Sequence, residues 1–140
     1  MKKVILTGHS KGLGKALASA LVAEGCEVLG ISRSRADEEQ GLQQVTLDLS
    51  DMDALRQWLE SRELGSFLEG SEQAILINNS GVVSPVGALG TLASQDIVRS
   101  IELNVAAPLV LSNAFIGQTA GVPDRRILHI SSGAGRRGMA

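Results

Sequence analysis

The stretch TGHSKGLG, residues 7–14, follows the apolar run VIL directly and leads into a segment with helical spacing. Its glycines, Gly8, Gly12 and Gly14, permit a tight turn and allow a phosphate group to approach the backbone. The N-terminal end of the helix that follows supplies free N–H groups and a dipole that favours an anion. Glycine also serves in turns that bind nothing, but the position between a strand and a helix predicts a phosphate-binding loop.

Outward from this loop, short apolar runs rich in β-branched residues alternate with longer segments of helical spacing. We predict five strands, at residues 3–7, 27–32, 44–48, 74–78 and 126–131. The runs VILT, AILIN and ILHIS lack polar alternation, which is typical of a parallel sheet covered on both faces. The sequence therefore predicts an α/β fold, a doubly wound parallel sheet with helices on both faces.

The first predicted helix follows the glycine loop. Leu13, Leu17 and Leu21 recur at intervals of four residues, which indicates a helix. Gly14 and Ala18 keep the adjoining surface small, so this helix is expected to lie close to the sheet.

The later helices carry start and stop signals. Ser50 and Asp53 approximate a capping box, and residues 62–73 are predicted to be mainly a connection. A helix that begins near Ser94 meets Pro108 well inside its pattern. Because proline has no N–H, the carbonyl of Asn104 four residues earlier is predicted to lack its helical partner. A bend that serves only packing is the alternative explanation.

Length and charge restrict the function further. The chain has 140 residues and a net charge of −2, which predicts one domain, residues 1–140. Because acidic and basic residues are interspersed, we expect neither nucleic acid nor a membrane surface as a partner. Cys26 is the single cysteine and no paired metal ligands are evident, so no metal site is expected. A cytoplasmic protein is the expectation.

The glycine loop has the spacing TGxxxGxG, and further motifs follow in order: Asp48 in TLDLS, NNSG at residues 78–81, Asn104 in ELNVAAP and ISS at residues 130–132. In these motifs the chain resembles the short-chain dehydrogenase/reductase family, and the matches cover almost its whole length. TGHSKGLG, SPVGALG and NVAAPLVLSNAF are similar to the branch that contains sepiapterin reductase and bacterial benzil reductase.

The resemblance implies a Rossmann fold and a nicotinamide cofactor. It places Asp48 and Leu49 beside the adenine and the NNSG segment along the cofactor, although the family usually has Ala where Ser80 stands. The predicted cofactor-binding residues are Gly8, Ser10, Lys11, Gly12, Leu13, Gly14, Arg33, Ser34, Asp48, Leu49, Asn79, Ser80 and Gly81.

The end of the second strand favours NADP(H) over NAD(H). An NAD-selective site usually places a carboxylate there, whereas a 2′-phosphate requires a cation. Here Ser32 occupies that place and Arg33 follows it, and Lys11 in the glycine loop adds a second positive charge. The resemblance agrees, since NADP-dependent members carry basic residues at these two places. The alternative is that both cations are solvated surface charges.

The resemblance also assigns two catalytic residues. Ser132 matches the serine that positions the substrate oxygen, and Asn104 matches the asparagine whose backbone carbonyl holds a water in the proton relay. The family's Tyr and Lys, in a YxxxK pattern, are expected soon after the turn GAGRRGMA, but the chain contains no Tyr. We therefore expect that these 140 residues are the N-terminal part of a longer reductase domain, that the C-terminal part of the family fold is missing, and that the chain alone is inactive.

These features together predict an NADPH-dependent oxidoreductase that reduces a small-molecule carbonyl, a diketone or a pteridine side-chain carbonyl, by hydride transfer. The resemblance allows a homodimer for the complete protein, because the family often dimerises through the fourth helix and the missing helix after it. A noncatalytic NADP-binding or interaction module is the alternative. A hydrolase is disfavoured because neither Ser131 nor Ser132 sits in GxSxG and His9 and His129 form no convincing triad.

Overall fold

The strands in the computed structural model, which describes residues 1–132, all run parallel in one sheet. They are β1 (Lys2–Thr7), β2 (Glu27–Ser32), β3 (Leu42–Thr46), β4 (Gln73–Asn78) and β5 (Asp124–His129), in the order β3-β2-β1-β4-β5. The five predicted strands and the parallel sheet are thus confirmed. The predicted GAGRRGMA turn, residues 133–140, lies outside the described residues.

Helices lie on both faces of this sheet within the described residues, but most of β5 is exposed, so the run ILHIS is not covered on both faces as predicted. They are α1 (Gly12–Ala23), α2 (Met52–Glu60), α3 (Glu63–Leu68), α4 (Ser94–Ile101) and α5 (Ala107–Gln118), with a π-helical segment, Glu102–Ala106, between the last two. One core cluster includes Val4, Leu6 and Ala18 and lies under α1. The other includes Ile5, Leu55 and Phe115 and lies under α2, α3 and α5. Alternate residues of β1 therefore face opposite cores, which confirms the doubly wound architecture.

Two strands begin and end about two residues earlier than predicted. β3 runs over Leu42–Thr46 instead of 44–48, and β5 over Asp124–His129 instead of 126–131. Pairing decides these bounds, since Thr46 is the partner of the last residue of β2 and His129 that of the last residue of β4. Asp48 and Ser132 consequently lie beyond the strand ends, in loops.

The prediction that residues 62–73 are mainly a connection was wrong at its centre. Residues 63–68 form α3, and Leu64, Phe67 and Leu68 are buried on one side of it. Their spacing of i, i+3 and i+4 is helical, but it covers only one turn among Gly, Ser and Glu. Burial against the sheet stabilises a helix too short to form alone.

The start of α2 also differs from the predicted capping box. Asp51 is the N-cap, and its carboxylate accepts a hydrogen bond from the N–H of Ala54 at 3.1 Å. Ser50 instead donates its hydroxyl to Asp48 Oδ1 at 2.7 Å. The cap is shifted by one residue because Ser50 is used in the loop that carries Asp48.

Helix α1 approaches the sheet through its small residues. Gly14 and Ala18 are buried, whereas Leu13 is 56% exposed. A Cβ atom on Gly14 would lie 1.8 Å from the carbonyl oxygen of Gly8. The expected close approach is confirmed, but its centre is the Gly14 and Ala18 line rather than the leucines.

The long helical stretch from Ser94 to Gln118 widens ahead of Pro108. The N–H of Ala107 donates to the carbonyl of Glu102, five residues back, and Pro108, which has no N–H, follows as the second residue of α5. The interruption predicted from Pro108 is confirmed as this π-helical segment. That the Asn104 carbonyl is free stays a prediction.

The same stretch is long and apolar enough, by length and composition, to cross a membrane. Ala107, Leu111 and Phe115 in its C-terminal half are fully buried in the core. Core helices of folded proteins satisfy the same criterion, so the length and hydropathy assign no membrane span. Ile97, Ile101, Val105 and Leu109 recur at intervals of four residues along this stretch and lie half-exposed on the surface.

Candidate functional site

A cavity of about 460 Å³ opens at the carboxyl ends of the central strands. At this edge the chain leaving β1 leads to β2 on one side, and the chain leaving β4 leads to β5 on the other. Doubly wound sheets bind their ligands at such a point. Ten of the residues predicted from the sequence line it: Gly8, Ser10, Lys11, Arg33, Ser34, Asp48, Leu49, Asn79, Ser80 and Gly81. Segments far apart in the sequence thus meet around one space.

The glycine loop forms the floor of this cavity between β1 and α1. Gly8 and Gly12 have φ values of 69° and 53°, a left-handed backbone that glycine adopts without strain. Lys11 is the N-cap of α1, and no side chain caps the helix. The free N–H groups at this end are therefore open to an anion, as the sequence predicted for a phosphate.

Hydrogen bonds join the end of β1 to the NNSG segment after β4. The buried hydroxyl of Thr7 accepts from the N–H groups of Asn79 and Ser80, both at 2.9 Å. The Asn79 side chain donates to the carbonyls of Thr7 and Gly8 at 3.2 and 3.3 Å. The two sides of the cavity are consequently held at a fixed separation.

The loop after β2 is tied to the glycine loop through serines. Ser10 Oγ lies 2.9 Å from Ser32 Oγ and 2.9 Å from Ser34 Oγ. Arg33 between them and Lys11 beside Ser10 are exposed, and both line the cavity. Arg33 and Lys11 therefore place two positive charges at the end of the cavity beside β2, whose last residue is Ser32 rather than a carboxylate.

Asp48 carries the negative charge on the opposite wall. Burial by itself raises the pKa of the Asp48 carboxyl, but hydrogen bonds from the hydroxyl and N–H of Ser50, together with the Arg99 and Arg33 guanidinium groups, hold the pKa below its usual value. Arg99 Nε also donates to Ser50 Oγ at 3.1 Å. Helix α4 thereby supports the loop that carries Asp48.

Because the pKa of Asp48 is lowered in the folded protein, the free energy of unfolding depends on pH in the acid range. A carboxyl whose folded pKa is depressed stabilises the fold above its unfolded pKa, and this contribution is lost as pH falls through the folded value. From about pH 6 to pH 3, we expect wild-type stability to fall more than that of Asp48→Asn in thermal melts. Asp37→Asn, at an exposed carboxylate on the loop after β2, is the control and should follow wild type. Parallel pH profiles for wild type and Asp48→Asn would contradict the assignment.

Asn104 lies in the π-helical segment, and its side chain forms hydrogen bonds with the residue that follows the NNSG segment. Its Oδ1 accepts from the Val82 N–H and its Nδ2 donates to the Val82 carbonyl, both at 2.8 Å. A Cβ atom on Gly81 would lie 3.1 Å from the same Oδ1. The sequence assigned a role only to the Asn104 backbone, so this contact is an addition.

Some predicted residues lie apart from the cavity lining. Gly12 and Leu13 are exposed, Gly14 is buried beneath the loop, and Ser132 is exposed beyond the end of β5.

Sequence reasoning missed other residues that line the cavity or support it: Ser32, Leu47, Val82, Leu103, Thr7 and Arg99. Ser32, Leu47 and Val82 adjoin predicted residues, which was an available signal. Arg99 is brought near by α4 and Leu103 by the π-helical segment, and neither carried a local signal.

The parallel sheet has the strand order 3-2-1-4-5 and a glycine loop at its first strand–helix junction. Its cavity lies where the strand order reverses, between β1 and β4. These three features define the Rossmann class of α/β proteins. A family model described as short chain dehydrogenase matches residues 2–140. The chain therefore belongs to the short-chain dehydrogenase family.

Individual relatives agree with this assignment. The chain is 34% identical to a benzil reductase of Bacillus cereus over 97% of its own length and 58% of the relative's, and 32% identical to human L-xylulose reductase over 99% and 56%. The crystal structure of a short-chain dehydrogenase/reductase from Burkholderia vietnamiensis superposes with a TM-score of 0.95 and 42% identity, covering 99% of this chain and 69% of that one. The chain thus spans a little over half the length of these two reductases.

Proposed function

We propose that this chain provides the cofactor site of an NADPH-dependent oxidoreductase that reduces a small-molecule carbonyl in the cytoplasm. The observation that carries the proposal is the single cavity in which the glycine loop, the Arg33 segment, Asp48 and NNSG meet. The matched relatives include enzymes named benzil reductase and L-xylulose reductase, which supports a carbonyl substrate. A diketone or a pteridine side-chain carbonyl is the proposed substrate class.

The residues present fit a nicotinamide dinucleotide. The open N–H groups at the start of α1 suit a pyrophosphate. The positive φ of Gly8 and the 3.0 Å that would separate a Cβ there from Ser80 Oγ both favour glycine at this position. Arg33 and Lys11 would hold a 2′-phosphate. Asp48 and Leu49 would flank the adenine, and residues 79–81 would lie along the cofactor. When bound, the nicotinamide supplies hydride transfer.

Two residues of this chain would act on the substrate side. Ser132 is proposed to hold the carbonyl oxygen by donating its hydroxyl, and the Asn104 backbone carbonyl to hold a water that relays protons. The proton donor and its partner, Tyr and Lys, are proposed to come from sequence beyond Ala140. Proton donation to the developing alkoxide requires such an acid, and this chain contains no Tyr.

A second candidate function, that of a noncatalytic NADP-binding or interaction module, requires no Tyr. Expression of the full natural reading frame separates the two functions. The reductase binds NADPH and turns over a diketone such as benzil, whereas the module binds NADPH saturably without turnover on any carbonyl tested. A reading frame that continues past Ala140 into YxxxK would agree with the first function, and a stop codon there with the second.

The substitution Arg33→Asp tests the cofactor preference. We expect wild type to bind NADPH more tightly than NADH, and the variant to lose about 30-fold in NADPH affinity, because a charge-assisted phosphate contact is replaced by repulsion. Affinity for NADH should change little. Fluorescence titration with each cofactor measures both values. Arg35→Asp, two residues further along the same exposed loop, is the matched control, and equal affinities of wild type for the two cofactors would overturn the proposed preference.

A further inference from the structure

The connection between β2 and β3 is short for a parallel pair. Residues 33–41 join the two strands without a helix, although parallel neighbours are usually joined by a helical crossover of a dozen or more residues. This connection begins with Arg33 and Ser34, which line the proposed 2′-phosphate end of the cavity. The bond between Ser10 and Ser34 holds its first residues, and a further contact holds the residues that follow.

His9 in the glycine loop supplies that contact. The imidazole is 1% exposed and lies flat over Gly30 of β2, where an added Cβ would stand 2.3 Å from its Cγ. Because Gly30 has no side chain, the ring crosses β2 and reaches Gln44 on β3, with Nε2 2.8 Å from Gln44 Oε1. Gly30 and Gln44 are register partners, so this path lies on one face of the sheet.

Gln44 also forms hydrogen bonds with the connection between β2 and β3. Its Oε1 accepts from the N–H of Ala36 at 2.8 Å, and its Nε2 donates to the Ala36 carbonyl at 3.1 Å. Because Oε1 is an acceptor, Nε2 of His9 must be the donor. We name the chain His9, Gln44 and Ala36 the histidine clasp. It joins the glycine loop to the connection on the side of the sheet that α1 covers.

Packing alone does not account for His9. Its Nδ1 is buried without a hydrogen-bond partner among the described residues, and an unpaired buried nitrogen costs free energy that a phenyl ring would avoid. The gain from the imidazole at this place is the directed bond to Gln44. His129, the other histidine, lies on β5 and has no part in the clasp.

We propose that His9 is a specificity-positioning residue, which through the histidine clasp holds the Arg33 segment at the distance from the glycine loop that a 2′-phosphate requires. This inference rests on the proposed NADP(H) site. The N–H groups at the start of α1 would hold the pyrophosphate common to both cofactors, whereas Arg33 at the start of the connection would hold, with Lys11, the 2′-phosphate unique to NADP(H). Loss of the clasp therefore weakens NADPH binding and leaves NADH binding nearly unchanged.

The test compares His9→Phe, Gln44→Met and the double variant with wild type. We expect each single variant to lose about fivefold in NADPH affinity and to keep NADH affinity within about twofold, because one buried link is broken. The double variant should lose no more than either single one, since both break the same chain of contacts. Gln43→Met, at the exposed neighbouring position of β3, is the matched control and should keep the wild-type ratio.

A second measurement requires no cofactor. Hydrogen exchange of the peptide covering residues 33–38 should be faster in His9→Phe and Gln44→Met than in wild type and Gln43→Met. Gln44→Met removes the acceptor of the Ala36 N–H, and His9→Phe removes the bond that holds this acceptor in place. Gln44 is only partly buried, so its variant is expected to fold even if His9→Phe does not.

The outcomes separate the two proposals. If wild type shows no preference for NADPH, the proposed cofactor fails and the role of His9 fails with it. If wild type prefers NADPH and Gln44→Met keeps both that ratio and slow exchange, only the role of His9 is overturned. Equal losses for NADPH and NADH would assign the clasp a purely structural role and would also overturn the inference.

Discussion

Replacing Gly14 with alanine is expected to lower the free energy of unfolding by about 3 kcal/mol, although Ala is ordinarily the better helix former by about 1 kcal/mol. The new Cβ would stand 1.8 Å from the Gly8 carbonyl oxygen and 2.6 Å from Asn79 Nδ2. The first of these atoms is backbone, so the overlap is relieved only if α1 or the glycine loop moves. The clash therefore outweighs helix propensity, and the loop that forms the cavity floor is displaced.

Urea denaturation measures this effect, and Gly117→Ala is the matched control. Gly117 lies in α5, and nothing stands within 4 Å of a Cβ built there. That substitution should stabilise the protein by about 0.5–1 kcal/mol, because glycine loses more backbone entropy on folding. Opposite signs for the two glycines are the expected result. A gain in stability for Gly14→Ala would show that α1 does not lie as close to the loop as described.

The second large effect is expected for Ser132→Ala in the protein expressed from its full reading frame. Removal of one hydrogen-bond donor to the reacting oxygen should lower kcat by about 100- to 1000-fold. The affinity for NADPH should remain within about twofold, because Ser132 lies beyond β5 and outside the cavity lining. Steady-state kinetics with a diketone and fluorescence titration with NADPH supply the two values.

Ser131→Ala is the control for this prediction, since it makes the same change one residue earlier in the exposed segment after β5. We expect Ser131→Ala to retain most of the activity. Unimpaired turnover of Ser132→Ala would remove Ser132 from the mechanism. Equal losses in both variants would show that the segment as a whole, rather than the Ser132 hydroxyl, is required.

The sequence alone predicted many of the residues that line the cavity, because these residues follow strand ends. Gly8, Asn79 and Asp48 each come at or just after a predicted strand, and parallel strands bring such positions to one edge of the sheet. Arg33 was found for the same reason. The exact ends of β3 and β5 were missed because pairing with β2 and β4 sets those ends, and pairing is not visible in a single strand.

Contacts between distant segments escaped prediction altogether. The bond from Arg99 to Ser50 joins residues 49 positions apart, and the histidine clasp depends on Gly30 only because the imidazole crosses β2 at that point. Asn104 was predicted for its carbonyl, whereas the structure shows its side chain bound to Val82. None of these pairings has a periodicity or a spacing that a reader of the sequence could recognise.

Residue type and local order are sufficient to predict the alternation of strands and helices, the glycine loop after β1 and the cations that follow β2. Tertiary structure decided the bounds of β3 and β5, the burial of α3, the supporting role of Arg99 and the histidine clasp. Each of these results from packing or hydrogen bonding between segments that only the folded sheet brings within reach.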